Sequence, residues 1–213
     1  MCGRYADPRE EEIIDAFGVQ IVNGHKEPSL NVAPTDVVSI VVDPLRDDGP
    51  LMRELWLARW GLVPSWTKTI DRRSLLINAR SETITVKPSF RSAAGHRRAI
   101  VPATGYYEWA LQPNGKKVPY FLHSADDSVL GFAGLYEWWR VPEGTTISGV
   151  KDGWLCSTTI ITRPATDALG HIHDRMPVVV PTDLIDAWLN PTITSRAQVD
   201  DLLAAMPDPE LTV

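Results

Sequence analysis

The chain has 213 residues, 44% of them hydrophobic and 23% charged, with a formal charge of −6, which suits one domain with a sizeable core. Only two cysteines are present, Cys2 and Cys156. They exclude a disulfide framework and fit a reducing compartment. With no secretory leader and no apolar run long enough to span a bilayer, a cytoplasmic protein without a membrane partner is expected. Charge is unevenly spread. Residues 53–98 hold ten Lys/Arg against Glu54, Asp71 and Glu82, whereas residues 181–213 hold six acids against Arg196 alone. Such a pattern suits an anion-binding surface on an otherwise acidic protein, provided the cations converge.

The chain opens Met1-Cys2-Gly3-Arg4-Tyr5. Removal of Met1 makes Cys2 a 1,2-aminothiol, whose amine condenses with an aldehyde and whose thiol then closes a five-membered thiazolidine. The unperturbed amine (roughly 7.7–8.0) and thiol (about 8.5) titrate near neutrality, so either can be tuned to react there. The alternative is a frayed terminus that happens to carry a cysteine. Asp7-Pro8-Arg9-Glu10 supplies an N-cap, a proline at the first helical position and a glutamate at N3. A helix is predicted there, burying Ile13, Ile14 and Phe17 and stopping at Gly18. After Leu30-Asn31-Val32-Ala33-Pro34-Thr35, the run Val37 to Val42 reads as a buried strand, followed by a turn-rich hairpin loop and a second strand from about Leu55 to Trp60.

Trp60-Gly61-Leu62-Val63-Pro64-Ser65-Trp66 then runs into Lys68, Arg72 and Arg73. Trp60 is assigned to the core; Trp66, beside the basic run, is a candidate stacking platform for single-stranded nucleic acid. Asn78 follows three large apolar residues, where a buried amide needs partners, or else it caps a following helix. Strands are expected at Ala99 to Pro102, Pro119 to His123, Val129 to Glu137 and Trp154 to Thr162, the last with Cys156 as a small core residue. Glu108, flanked by aromatics in Gly105-Tyr106-Tyr107-Glu108-Trp109, is either exposed on one face of a strand or buried for acid/base work. His171 and His173 would share a face if extended, but no third ligand stands at a zinc spacing, so no metal or other cofactor is expected. Helices near Asp183 to Leu189 and Ser195 to Met206 close the chain.

Six stretches, Met1 to Tyr5, Asn31 to Thr35, Trp60 to Trp66, Asn78 to Glu82, Gly105 to Trp109 and His173 to Pro177, occur in the order seen in the SOS response-associated peptidase family, which the chain resembles from residue 2 to about 180. That resemblance implies an α+β fold: a single domain with a strand-rich, barrel-like, mainly antiparallel centre and flanking helices. It implies a monomer that binds abasic sites in single-stranded DNA and crosslinks to them. Cys2 would be the nucleophile, with Asn78, Glu108 and His173 as its companions. Arg4 and Arg80 would hold the flanking phosphates and Trp66 the displaced bases. Lyase and self-processing peptidase activities are further implications. The family pattern continues into another basic segment, whereas this sequence stops at Val213, so either the sequence is cut there or part of the DNA surface is absent. Two other functions compete: an N-terminal-nucleophile amidohydrolase working through the Cys2 thiolate, and a non-catalytic single-strand DNA-binding module.

Overall fold

In the computed structural model, residues 2–46, 49–70, 75–165 and 173–213 are described. The β-branched run Val37–Val42 forms β3, and its neighbours explain why it lacks the usual polar alternation. Val38, Ile40 and Val42 point into one core and Val41 into another, so the strand is buried on both faces. The same holds around the sheet. β3 pairs antiparallel with β4 (Glu54–Trp60) and β6 (Arg98–Ala103), β6 with β9 (Leu130–Arg140), and β9 with β11 (Trp154–Pro164). A parallel pair, Arg59 with Ser157 and Trp60 with Thr158, joins β4 to β11 and closes a five-stranded ring, with the short strands β2 (Ile21–Val22) beside β4 and β10 (Val150–Lys151) beside β11. The expected mainly antiparallel barrel is therefore present, sealed by one parallel seam.

Helices cover the outer face. α1 (Glu10–Phe17), α2 (Arg91–His96), α3 (Ile185–Leu189) and α4 (Arg196–Ala205) are the α-helices among the described residues, and they share one core with Val41, Leu55, Ile100, Leu135 and Ile161. α1 begins later than the sequence suggests. Glu12 accepts from the Arg9 backbone N–H at 2.8 Å, while Asp7, the expected cap, is taken by Lys26 and by the Ser29 N–H. Ile13 and Phe17 are buried, Ile14 only partly, and Gly18 ends the helix in the left-handed region.

The other core lies inside the ring and includes Cys2 and Tyr5. A second sheet, in the order β1 (Tyr5–Ala6), β7 (Gly105–Leu111), β8 (Lys117–Ser124) and β13 (Leu211–Thr212), brings the N-terminus there. Gly105 makes this approach possible. It pairs with both Ala6 and His123, and a Cβ on it would lie 2.5 Å from Phe121 Cζ and 2.6 Å from the Leu122 carbonyl. Tyr5 then packs edge-on against Trp60 (5.3 Å between centroids) and Phe132 (6.2 Å). Among the described residues no helix is long and apolar enough to cross a membrane.

Candidate active site at Cys2

The stretch from Cys2 onward does not fray: Cys2 is 0% exposed. Pairing of β1 with β7 places Tyr5 opposite Tyr106, and the Tyr107 N–H donates to the Arg4 carbonyl at 2.9 Å, extending the ladder one residue toward Cys2. The short strand β5 (Asn78–Arg80) runs parallel to β11, with Asn78 beside Ile160. From there Asn78 Nδ2 donates to the Cys2 carbonyl at 2.9 Å. Asn78 Oδ1 is buried with no hydrogen-bond partner among the described residues. Asn78 is thus a strand residue reaching the N-terminus rather than a helix cap.

Glu108 settles on the buried side of its two alternatives, at 4% exposure. On β7 Tyr106, Glu108 and Ala110 face inward while Trp109 and Leu111 face out, so strand alternation alone turns the carboxylate into the site. Its charge reaches Cys2. Burial first, and Glu108 second, push the Cys2 thiol far above its ordinary value, opposed by the Arg4 backbone N–H. Tyr106 is raised likewise, by burial and then by Cys2 and Glu108. With Met1 still ahead of Cys2, burial therefore favours the protonated thiol.

His173 lies two residues before β12 (Arg175–Pro177), which pairs with the far end of β11, where Thr162 lies between Arg80 of β5 and Pro177 of β12. Arg175 joins the two flanks: it grips Glu82, just past β5, with Nη1 at 2.5 Å and Nη2 at 3.0 Å, and also donates to the Thr162 carbonyl at 2.6 Å. His173 Nδ1 lies 3.0 Å from the Arg175 backbone nitrogen and 2.8 Å from Asp174 Oδ1. His171 falls outside the described residues. Among those described, no group of three or more side chains could hold a metal.

The candidate phosphate ligands are divided. Arg80 is exposed and, two residues from Asn78, shares its face of β5 about 7 Å along the strand. Arg4 is partly buried and donates to Asn31 Oδ1 at 2.9 Å. Trp66 stands out at 66% exposure beside a cavity of about 280 Å³ lined by its own loop, while Trp60 is core. The basic middle of the sequence does not form one surface. Arg53 is bound to Asp43 and Asp186, and Arg97 to Glu137. Arg59 is buried, and Arg98 is spent on backbone carbonyls. Lys68, Arg80, Lys87 and Arg91 remain exposed; Arg72 and Arg73 lie outside the described residues. Cys156 is an inert core thiol, pushed up to about 12 by burial. A cavity of about 650 Å³ lined by Thr35, Arg59, Lys68 and Trp139 contains none of the candidate catalytic side chains.

Fold and site together define a mixed β-barrel protein with a buried Cys2 whose carbonyl is held by an asparagine and whose thiol feels a buried carboxylate. The chain belongs to the SOS response associated peptidase (SRAP) family, whose model matches residues 1–213. It is 36% identical over 206 residues to the abasic site processing protein YoqW of Bacillus subtilis, covering 95% of this chain and 86% of that one. It is 32% identical over 191 residues to the abasic site processing protein HMCES of Rattus norvegicus, and there covers 76% of this chain and 53% of the relative. A crystal structure of a protein from Bordetella bronchiseptica matches with a TM-score of 0.77 at 26% identity, over 99% of this chain and 97% of the other. One from Bacteroides thetaiotaomicron has the same TM-score and identity, over 95% of this chain and 86% of the other.

Proposed function

We propose that this protein processes abasic sites in single-stranded DNA, as a monomer, by trapping the lesion as a thiazolidine on Cys2 after Met1 is removed. The reading is supported by curated relatives named for abasic site processing and by the fixing of Cys2, whose carbonyl is held by Asn78 beside the buried Glu108. The fixing of Cys2 is the observation that carries it.

The raised thiol sets the order of steps. A thiol held protonated is a poor first nucleophile, so the Cys2 amine attacks C1′ of the open-chain sugar aldehyde first. The carbinolamine loses water to give an imine, with Glu108 moving the protons. The S–H then adds across C=N: sulfur bonds to C1′, its proton passes to nitrogen, and one water is released overall. His173 serves the earlier opening of the sugar hemiacetal, being the side-chain type that exchanges protons near neutrality. Asn78 Oδ1, the buried acceptor, receives an N–H of the freed amine. Arrested at the imine, the same site acts as a lyase on the strand. Arg4 and Arg80 bind flanking phosphates, and Trp66 stacks on a displaced base.

The raised thiol also weighs against the amidohydrolase reading, and against self-cleavage before Cys2, because each needs a thiolate. Ordinary methionine removal then supplies the amine. The deciding experiment mixes Met1-free protein with single-stranded DNA carrying one abasic site and resolves the products under denaturing conditions. A shifted band from wild type, none from Cys2→Ala, and a borohydride-trapped adduct from Cys2→Ala are expected. A stable adduct on a chain that keeps Met1 refutes the thiazolidine, because that nitrogen is locked in a peptide bond.

A further inference from the structure

Glu82 and Arg175 belong to two motifs 93 residues apart, and the proposed chemistry uses neither. Their bridge is two-pronged: Arg175 Nη1 and Nη2 donate to Glu82 Oε1 and Oε2 at 2.5 and 3.0 Å. Nη2 also donates to the Thr162 carbonyl at 2.6 Å and lies 3.3 Å from its hydroxyl. A bidentate guanidinium pair fixes orientation as well as distance, which a lysine could not do. Backbone pairing adds to it. Arg175 is in register with Pro164 on β11, and the Ala165 N–H donates to the Asp174 carbonyl at 3.0 Å.

What the bridge holds in place is the Arg175 backbone N–H, which points at His173 Nδ1 at 3.0 Å. Asp174 Oδ1 lies 2.8 Å from the same nitrogen, and the two partners require opposite states of it. A donating amide needs Nδ1 bare, which puts the proton of the neutral ring on Nε2. A carboxylate needs Nδ1–H, which leaves Nε2 bare. The Asp174 side chain is 86% exposed, so its pull is screened by water, whereas the amide is anchored in β12.

We propose that Glu82 is a positioning residue: through its bridge to Arg175 it keeps that backbone N–H on His173 Nδ1, and so sets the ring's orientation and its Nε2–H tautomer. Nε2–H is then the proton that the imidazole presents to the sugar, and Asp174 takes Nδ1–H when the ring becomes an imidazolium. The catalytic consequence rests on the reading of His173 given above. The tautomer does not, so the two can fail separately.

The test reads the tautomer directly, from the ring nitrogens of His173 in long-range proton–nitrogen NMR of the full chain with the ring neutral. Wild type is expected to show Nδ1 as a bare acceptor and Nε2 protonated. In Glu82→Gln and Arg175→Lys the two signals move toward a common average, while Asp174→Asn keeps the wild-type pattern. Glu82→Asp, which retains the charge, restores the pattern in part. On abasic single strands Glu82→Gln slows crosslinking about 10- to 100-fold, the scale of a lost alignment, with binding of intact single strands no weaker. Glu82 is 45% exposed, so its replacement opens no hole in the core, and thermal melting checks the fold. An unchanged His173 tautomer in both Glu82→Gln and Arg175→Lys overturns the proposal, as does a tautomer that follows Asp174 instead. A wild type that shows the tautomer yet never crosslinks leaves the positioning role standing and removes the function.

Discussion

Asn78→Ala probes the geometry on which the proposed reaction depends most. Its Nδ2 is 2.9 Å from the Cys2 carbonyl, in a core where Cys2 has no exposure, so truncation leaves that carbonyl buried without its donor. An orphaned buried acceptor costs about 1–3 kcal/mol. The cost falls on the docked N-terminus more than on the fold, because β5 is three residues long and Ala79, its buried member, is untouched. If the terminus escapes this penalty by undocking, the reactive conformation loses that much population, and crosslinking slows by about 5- to 150-fold. Loss of the Oδ1 acceptor pushes the same way. Single-turnover crosslinking of Met1-free protein at saturating abasic DNA measures the rate, and thermal melting of the same sample confirms the fold. Asn78→Asp should be slow as well, since a carboxylate oxygen replaces the donor facing the carbonyl. A folded Asn78→Ala protein that reacts within about twofold of wild type would remove Asn78 from the mechanism and leave it a strand residue.

Glu108→Gln should slow crosslinking by roughly 10²–10⁴-fold while lesion binding persists; a normal rate means that the buried carboxylate is structural. Affinity for single strands should fall with salt, and Arg80→Ala should make the log–log slope shallower by about 0.7, whereas Arg97→Ala, whose cation is committed to Glu137, should leave it unchanged. Arg98 gathers the carbonyls of Trp188, Ala94, Gly95, Ile193 and Asn190, and burial lowers its pKa to about 10. Arg98→Met should cost at least about 3 kcal/mol in urea unfolding, and a loss under about 1 kcal/mol contradicts its role as the tie of α2 and α3 to the barrel. Arg175 first of all, through its hydrogen bonds, holds Glu82 at about 2, below the ordinary 4.5. The stability this gives is complete above about pH 4.5 and drains away as pH falls toward 2, so Glu82→Gln should flatten the acid limb of a melting-temperature profile by its own share. An acid limb of unchanged steepness counts against the bridge.

Much of the fold could be read from local pattern. The run Val37 to Val42, the strands leading from Ala99 and from Trp154, and the closing helices all emerged where β-branched and amphipathic signals placed them, since burial selects residue types whatever the topology. The first helix starts later than Asp7-Pro8 suggests because Asp7 has a stronger partner, Lys26, 19 residues away in the chain. The charge count carries less than its sum suggests for a similar reason: composition counts a guanidinium once, whether it faces solvent or, like Arg98, backbone carbonyls.

Cys2 beside Gly3, and the ordered motifs carrying Asn78, Glu108 and His173, supply the candidate groups from sequence alone, because reactivity resides in side-chain type and an aminothiol exists only at a terminus. Three things depended on the tertiary structure. β7 had to turn Glu108 inward, β5 had to carry Asn78 to the Cys2 carbonyl, and burial had to raise the thiol. The Glu82–Arg175 bridge belongs with them. Each is a distance or a desolvation between residues far apart in the chain, and a sequence fixes what its side chains can do but leaves to folding which of them share one water-poor volume.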